Sequence, residues 1–278
     1  METIISLTST VTRLNVARYT LLSLLHQTRP PDRIILNLSR EAYLLDDGVD
    51  ELPIWLEDLQ ASHPLEVRWT KNTGPYRKLH PAIADCSDDD IIITCDDDAI
   101  YGEKWLEHLL RAATRQPDAI ICGRACTPVR NIVGRLQSYV HWPLVTINSA
   151  GLNLIPIGVA GVVYRKRLLD CDFLFWEEFL RSAPGQDDFW FKKASERRGT
   201  PVHVVPVADE HVHPIRVGAA LSDTNASAQL KRDWASLFPA IAERATFRLK
   251  AYVGFSVCVN DVAWRAVERA SREFQGKH

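Results

Sequence analysis

The spacing of hydrophobic positions changes period repeatedly along this chain, and each change marks an element. Ile4-Ile5-Ser6-Leu7-Thr8 is a short apolar, β-rich run that ends among Ser and Thr, residues that favour loops. From Leu14 to Gln27 the apolar residues Leu14, Ala17, Leu21, Leu22, Leu24 and Leu25 fall at helical spacing. Pro30-Pro31-Asp32 breaks that pattern, and Arg33 to Leu38 reads as a second strand. Strand, helix and strand within about forty residues predict a right-handed βαβ crossover and a parallel pair.

The alternation continues. Pro53 to Gln60 predicts a short helix with Pro53 near its first turn, and Leu65 to Trp69 alternates as a half-buried strand. Lys78 to Asp85 predicts another short helix. Ile91-Ile92-Ile93-Thr94-Cys95 is continuously apolar, as a central strand covered on both faces should be. Glu103 to Arg115 is helical, while Ala119 to Cys122, Val162 to Tyr164 and Val202 to Val207 are strand-like. These elements predict a doubly wound α/β fold with a mostly parallel central sheet flanked by helices, whose ligands bind beyond the carboxyl ends of the strands. From Ser227 the pattern turns helical: Leu230, Trp234, Leu237, Ile241 and Ala245 share one face, and Val262 to Phe274 reads as a further helix. The expected organisation is one domain over 1–222 and a helical extension over 223–278 that packs on it or carries an interface.

Composition narrows the function. In 278 residues, 33 Lys and Arg against 35 Asp and Glu leave a net charge of −2, without the basic excess that a dedicated nucleic-acid binder needs. An anionic ligand must therefore be met by a local site. The six cysteines form no CxxC pair and complete no zinc pattern, so reduced, mostly buried thiols of a cytoplasmic protein are expected. No secretory signal is visible at the N-terminus, and the apolar stretch Ala251 to Val259 is about half of the ~20 residues a membrane span needs. No transmembrane segment is expected. Peripheral membrane contact through the tail arginines is a weaker option, because acidic residues are interleaved with them. Asn225-Ala226-Ser227 fits a glycosylation pattern that carries no information without a secretion signal.

The strongest chemical signal is Asp96-Asp97-Asp98 at the end of the apolar run 91–95. Three carboxylates there are costly unless a cation or hydrogen-bond donors compensate them. Residues two apart in extended chain face the same way, so Asp96 and Asp98 can share a site while Asp97 turns aside. Oxygen ligands with open positions suit Mg2+ or Mn2+ carrying a diphosphate. Asp88-Asp89-Asp90 precedes the strand and reads as a solvated loop.

On these residues the chain resembles the inverting, family 2-like glycosyltransferases of the GT-A fold. The opening strand at Ile4–Ser9, the helix end Ser23-Leu24-Leu25-His26-Gln27-Thr28 and Pro31-Asp32-Arg33-Ile34-Ile35-Leu36 look like that group's first βαβ unit, and Asp96–Asp98 looks like its DxD motif. The resemblance runs from residue 4 to about 213. It implies a nucleotide-diphosphate sugar as donor, a UDP-sugar favoured, a glycan or lipid-linked acceptor, and Mn2+ or Mg2+ as cofactor. Asp98 is then the direct metal ligand, with Asp96 supporting metal or ribose. His211 or His213, two apart after the last strand, completes the metal shell, His211 slightly preferred.

Further motifs follow in the same order. Gly158 to Gly161 resembles the loop beside the donor and acceptor sugars, and glycine there lets backbone approach a ligand. Gly185-Gln186-Asp187-Asp188 resembles the xED motif, with Asp187 in place of its glutamate; the likeness assigns Asp188 as general base and leaves Asp187 the duller role of helix N-terminal charge. Lys78, in Thr73-Gly74-Pro75-Tyr76-Arg77-Lys78, is a candidate donor contact, a solvated lysine at a helix start being about equally plausible; Arg13, Thr8 and Asp97 are placed near the nucleotide. Trp176 is a candidate for stacking on an acceptor sugar, although core packing is the commoner fate of tryptophan.

The expected function is metal-dependent transfer of a sugar to an acceptor hydroxyl with inversion, in glycan or polysaccharide synthesis. Two alternatives stay open: a nucleotidyltransferase of related fold, whose glycine-rich pyrophosphate signature is absent near the N-terminus, and a non-catalytic sugar-nucleotide-binding subunit. A haloacid-dehalogenase-type phosphohydrolase ranks low, because its DxD sits on the first strand and is followed two residues later by Thr or Val rather than Ile100.

Overall fold

The computed structural model describes residues 1–215 and 246–275. The strands are β1 (Thr3–Thr8), β2 (Arg33–Leu38), β3 (Leu65–Trp69), β4 (Ile91–Thr94), β5 (Ala99–Tyr101), β6 (Ile120–Cys122), β7 (Ala125–Cys126), β8 (Ser149–Gly151), β9 (Ile155–Pro156), β10 (Val162–Tyr164), β11 (Val202–Val204) and β12 (Val212–Pro214). The helices are α1 (Leu14–Leu25), α2 (Ile54–Ser62), α3 (His80–Asp85), α4 (Trp105–Arg115), α5 (Cys171–Leu174), α6 (Phe179–Ser182), α7 (Asp187–Arg197) and α8 (Pro206–Asp209), followed by a helical stretch over 246–253 and a C-terminal helix, Val259–Gln275.

Eight strands form the central sheet in the order β3-β2-β1-β4-β10-β6-β11-β8. The run β3-β2-β1-β4 is parallel, and β10 inserts antiparallel between β4 and β6. Strand β6 pairs parallel with β11, and β8 closes that edge antiparallel. Helices α1, α2 and α4 pack with one apolar layer, which holds Leu21, Leu56 and Trp105. The other layer contains α3, α5, α6, α7 and the C-terminal helix. The expected mostly parallel α/β sheet is present. All four residues of β4 are buried, as its unbroken apolar run requires.

Boundaries differ where proline intervenes. The strand expected over Val202 to Val207 ends at Val204, and Pro206, which has no N–H for the ladder, opens α8 instead. The helix expected from Lys78 begins at His80, because Gly74–Lys78 forms a 3-10 turn before it. The six cysteines are unpaired, and Cys86, Cys95, Cys122 and Cys126 are buried. No helix among the described residues is long and apolar enough to cross a membrane. The helical face expected from Leu230 to Ala245, the 222/223 boundary and Asn225 lie outside the described residues.

The C-terminal helix packs on α6 and α7. Trp264 meets Phe189 and Trp142 edge-on at 5.4 and 5.6 Å, and Phe274 meets Phe173 at 5.5 Å. The buried Lys193 ammonium bonds Glu268 of this helix and lies 5.1 Å from the Trp264 ring.

Candidate active site

The chain emerges from β4 into a turn, Cys95 to Asp98, before β5 leads away. The turn alternates as extended chain should: Asp97 is buried, whereas the Asp96 and Asp98 side chains are each 33% exposed. Asp97 therefore faces the protein. It accepts a 2.5 Å hydrogen bond from Ser9 Oγ and pairs with Arg13 at 2.6 Å. Burial raises its carboxyl to about 6 against the opposing pull of Arg13. The same guanidinium nitrogen lies 2.8 Å from Asp98 Oδ2, so Arg13 ties the buried and exposed aspartates together. Thr8, at the end of β1, donates to the carbonyl of Asn37 at 2.8 Å.

Lys78 is no solvated lysine. Its ammonium is buried and bridges two carboxylates, 2.9 Å from Asp96 Oδ1 and 3.1 Å from Asp187 Oδ2. Burial works against its charge, but Asp187, Asp96 and Asp188 together hold it well above the ordinary lysine range. Asp187 is correspondingly more than a helix-dipole charge. It is a buried partner of Lys78 whose carboxyl burial pushes upward while Lys78 pulls it down.

Asp188 stands beside it in the first turn of α7. Its Oδ2 accepts the Gly158 N–H at 2.9 Å, and the residue keeps part of its surface open. Burial first, and the Asp187 charge second, raise its carboxyl to about 7. A Cβ on Gly158 would stand 2.9 Å from Asp188 Oδ1 and 3.3 Å from Lys78 Nζ, so glycine makes this approach. Gly161 is required for another reason. Its φ is +87°, and a Cβ there would overlap the Trp105 ring. The glycine loop thus packs between the Asp187–Asp188 helix start and α4.

Several residues of the site carried no role in the sequence reading. The Tyr101 hydroxyl accepts the Asp96 N–H at 3.0 Å and donates to Val159 O at 2.9 Å, which ties the acidic turn to the glycine loop. Its position three after Asp98 is the only sequence signal. Arg77 and Asp46 form a buried ion pair at 2.8 Å, to which Asn72 adds a 3.1 Å hydrogen bond. Arg77 also reaches Ser9 O, so this pair braces the loop after β1. Nothing in the local pattern marks Asp46.

Other candidates stand apart from this cluster. The His211 ring stacks on His108 of α4 at 5.2 Å, and its Nδ1 faces Gly102. His213 is exposed and pairs with Ile100 in the β12–β5 ribbon. Among the described residues, no group of three or more His, Cys, Asp or Glu side chains is gathered as a metal cage. Trp176 packs in an aromatic layer, 5.3 Å from Phe274 and 6.2 Å from Trp190.

The donor chemistry of the acidic turn nevertheless fits a hard divalent cation. Among the described residues, Asp96 and Asp98 each engage one oxygen with a cation and leave their other oxygen free of any ion pair, on side chains one-third exposed. Carboxylate oxygens with room for water and phosphate are what Mg2+ or Mn2+ takes when it is bound with a diphosphate.

Comparison with known proteins bears on the fold and the family. No curated protein sequence matches the chain. Among solved structures, S. aureus TarS residues 1–349 align with a TM-score of 0.50 and 16% identity over 74% of this chain and 58% of that one. A second TarS structure gives 0.51 and 15% over 78% and 37%. TarS 1–349 in complex with UDP-GlcNAc gives 0.52 and 13% over 100% and 72%. At these identities the likeness is one of fold, and in the first of them the chain spans little more than half of the TarS length. The GT-A architecture is common to both. The sequence model of Glycosyl transferase family 2 matches residues 7–174, which include the end of β1, the acidic turn and the glycine loop. The chain belongs to glycosyl transferase family 2.

Proposed function

We propose that this enzyme transfers a sugar from a nucleoside-diphosphate sugar to an acceptor hydroxyl by a single inverting displacement. The observation that carries the reading is the Asp188 carboxylate. It is held in place by the Gly158 N–H, raised to about 7, and adjoins Asp187, which Lys78 bridges to the acidic turn. A sugar hydroxyl is a weak nucleophile, and a base with a pKa near neutrality is well matched to take its proton as the bond to the anomeric carbon forms. Asp188 is that base. The proton moves to its Oδ1, the oxygen not engaged by Gly158, while the diphosphate departs with the electrons of the broken glycosidic bond.

Arg13 and Lys78 balance the acidic turn, and Arg77 with Asp46 braces the β1 loop against which the nucleotide rests. Thr8 borders this nucleotide side. Asp98, with Asp96, would hold a Mn2+ or Mg2+ ion that offsets charge on the departing diphosphate. A UDP-sugar is the favoured donor, supported by the family and by the UDP-GlcNAc complex of TarS. A glycan or lipid-linked hydroxyl is the proposed acceptor, and glycan or polysaccharide synthesis the setting.

Stereochemistry tests the mechanism. Proton NMR of the product formed from an α-linked donor should show a β-anomeric coupling and no α product. An α product would exclude Asp188 as the base of a single displacement.

A further inference from the structure

A second surface combines exposed apolar residues with basic ones. Residues 130–136 form a hairpin tip. Asn131 Oδ1 accepts the N–H groups of Val133 and Arg135, which holds the turn closed. Ile132 and Val133 at its apex are 93% and 70% exposed. The tip is fixed to the C-terminal region: Asn131 Nδ2 donates to Tyr252 O at 3.1 Å, and Ser138 N–H donates to Ala251 O at 2.9 Å. Asp261 then locks the start of the C-terminal helix by accepting from Ser138 Oγ, Tyr139 N–H and Val257 N–H. Hairpin, the 246–253 stretch and the C-terminal helix are therefore one body.

That body exposes Leu249, Phe255, Val259 and Val262, apolar residues whose burial would be favourable and which the described residues leave open. The charge beside them is predominantly positive. Arg130 and Arg135 flank the hairpin tip, Arg248 and Lys250 flank Leu249, and Val262, Arg265, Arg269 and Arg272 form one outward stripe at i, i+3, i+7 and i+10. No Asp or Glu occurs in 128–141 or 246–260. Asp261 is buried in its hydrogen bonds, Glu268 is taken by Lys193 and lies 3.9 Å from Arg272, and Glu273 is the exposed acid against the three arginines. In a chain of net charge −2, this is a local basic field.

We infer that this surface docks on an anionic lipid bilayer, with Ile132, Val133 and Phe255 entering the headgroup boundary and the arginine stripe lying over acidic headgroups. Aliphatic side chains at a projecting tip, rimmed by cations, are what a bilayer surface accepts. A second copy fits less well, since a two-fold interface would set the arginine stripe against itself. A nucleic acid would satisfy the cations but gain nothing from Ile132 and Val133, which offer no ring for a base to stack on. The surface is joined to the proposed base: Phe189, next to Asp188, meets Tyr139 at 5.8 Å and Trp264 at 5.4 Å. Docking would thereby hold the acceptor side of the site near the bilayer, which suits a lipid-linked acceptor.

Vesicle co-sedimentation of the full chain tests this without any substrate. Phosphatidylcholine vesicles are compared with vesicles containing about one-third phosphatidylglycerol, at low and raised salt. Binding is expected on the anionic vesicles only, weakening as salt rises. The triple change Arg265→Gln, Arg269→Gln, Arg272→Gln should weaken it on the order of 100-fold, each cation near the surface contributing about fivefold. The pair Ile132→Ser, Val133→Ser should weaken binding while leaving the salt dependence in place. Both variants should keep the parent's circular dichroism and donor hydrolysis, which separates failure of docking from failure of the transferase reading. Equal binding to neutral vesicles, binding to neither, retention of an oligonucleotide in place of vesicles, or a dimer abolished by the hairpin pair would each overturn the inference.

Discussion

Gly158→Ala is a narrow probe of the proposed base, because it adds one methyl group and changes no functional atom. The backbone at Gly158 tolerates alanine, its φ lying outside the left-handed region. The new Cβ would stand 2.9 Å from Asp188 Oδ1, where ordinary contact begins at 3.4 Å, so the carboxylate must retreat by about 0.5 Å. Misplacement of a reacting group by about 1 Å can cost about 100-fold, and half that displacement should lower the rate about tenfold. Retreat also strains the Gly158 N–H bond to Oδ2. Losing about 1 kcal/mol of hydrogen bonding to the ionised form would move the pH midpoint of the rate upward by about 0.7 on the pH scale. Initial rates of nucleoside-diphosphate release across pH measure both effects, and calorimetry with UDP reports binding separately. A rate within twofold of the parent, or UDP binding lost in step with the rate, would refute the placement of Asp188 against this glycine.

Other perturbations separate the parts of the site. Asp188→Asn should lower the rate about 100-fold or more while leaving UDP binding intact. In the parent, the rate should rise with pH through about 7, since only the ionised carboxylate accepts a proton and burial has raised it there; the asparagine variant should lose that rise. Lys78→Met leaves Asp187 buried without its cation, and urea unfolding should show about 3 kcal/mol or more of lost stability. Gly161→Ala must place a side chain at φ +87° and against Trp105, so it should cost about 2 kcal/mol or more in the same measurement. Removal of divalent cation with EDTA should abolish turnover reversibly, and Asp98→Ala should reproduce that loss with Mn2+ present.

The parts of the fold that were legible in the sequence are those set by local period. β1, α1 and β2 follow from the spacing of Ile4 to Leu38, and the buried strand β4 from an unbroken apolar run. The insertion of β10 antiparallel between β4 and β6 was not legible, because its partners are chosen by pairing across some seventy residues on one side and forty on the other. The acidic turn announced itself, and the expected alternation matches the burial of Asp97 between the part-exposed Asp96 and Asp98, although Arg13 joins Asp97 to Asp98. Lys78 shows where such reading stops. A lysine after a turn is ordinarily solvated, and only the fold brings Asp96 and Asp187 to its ammonium from eighteen residues away and from α7. The Asp46–Arg77 pair was equally invisible, since neither residue lies in a recurrent pattern. Two histidines at i, i+2 carry no sign of orientation, and the His211 ring stacks on His108, a partner that no spacing rule names.

The most direct test of the central claim is donor hydrolysis by the purified chain: Mn2+, a panel of nucleotide sugars, and detection of the released nucleoside diphosphate. The account predicts turnover of one UDP-sugar, lost in EDTA and reduced about 100-fold in Asp188→Asn. Silence across the whole panel, with no calorimetric binding of UDP in the presence of Mn2+, would contradict it.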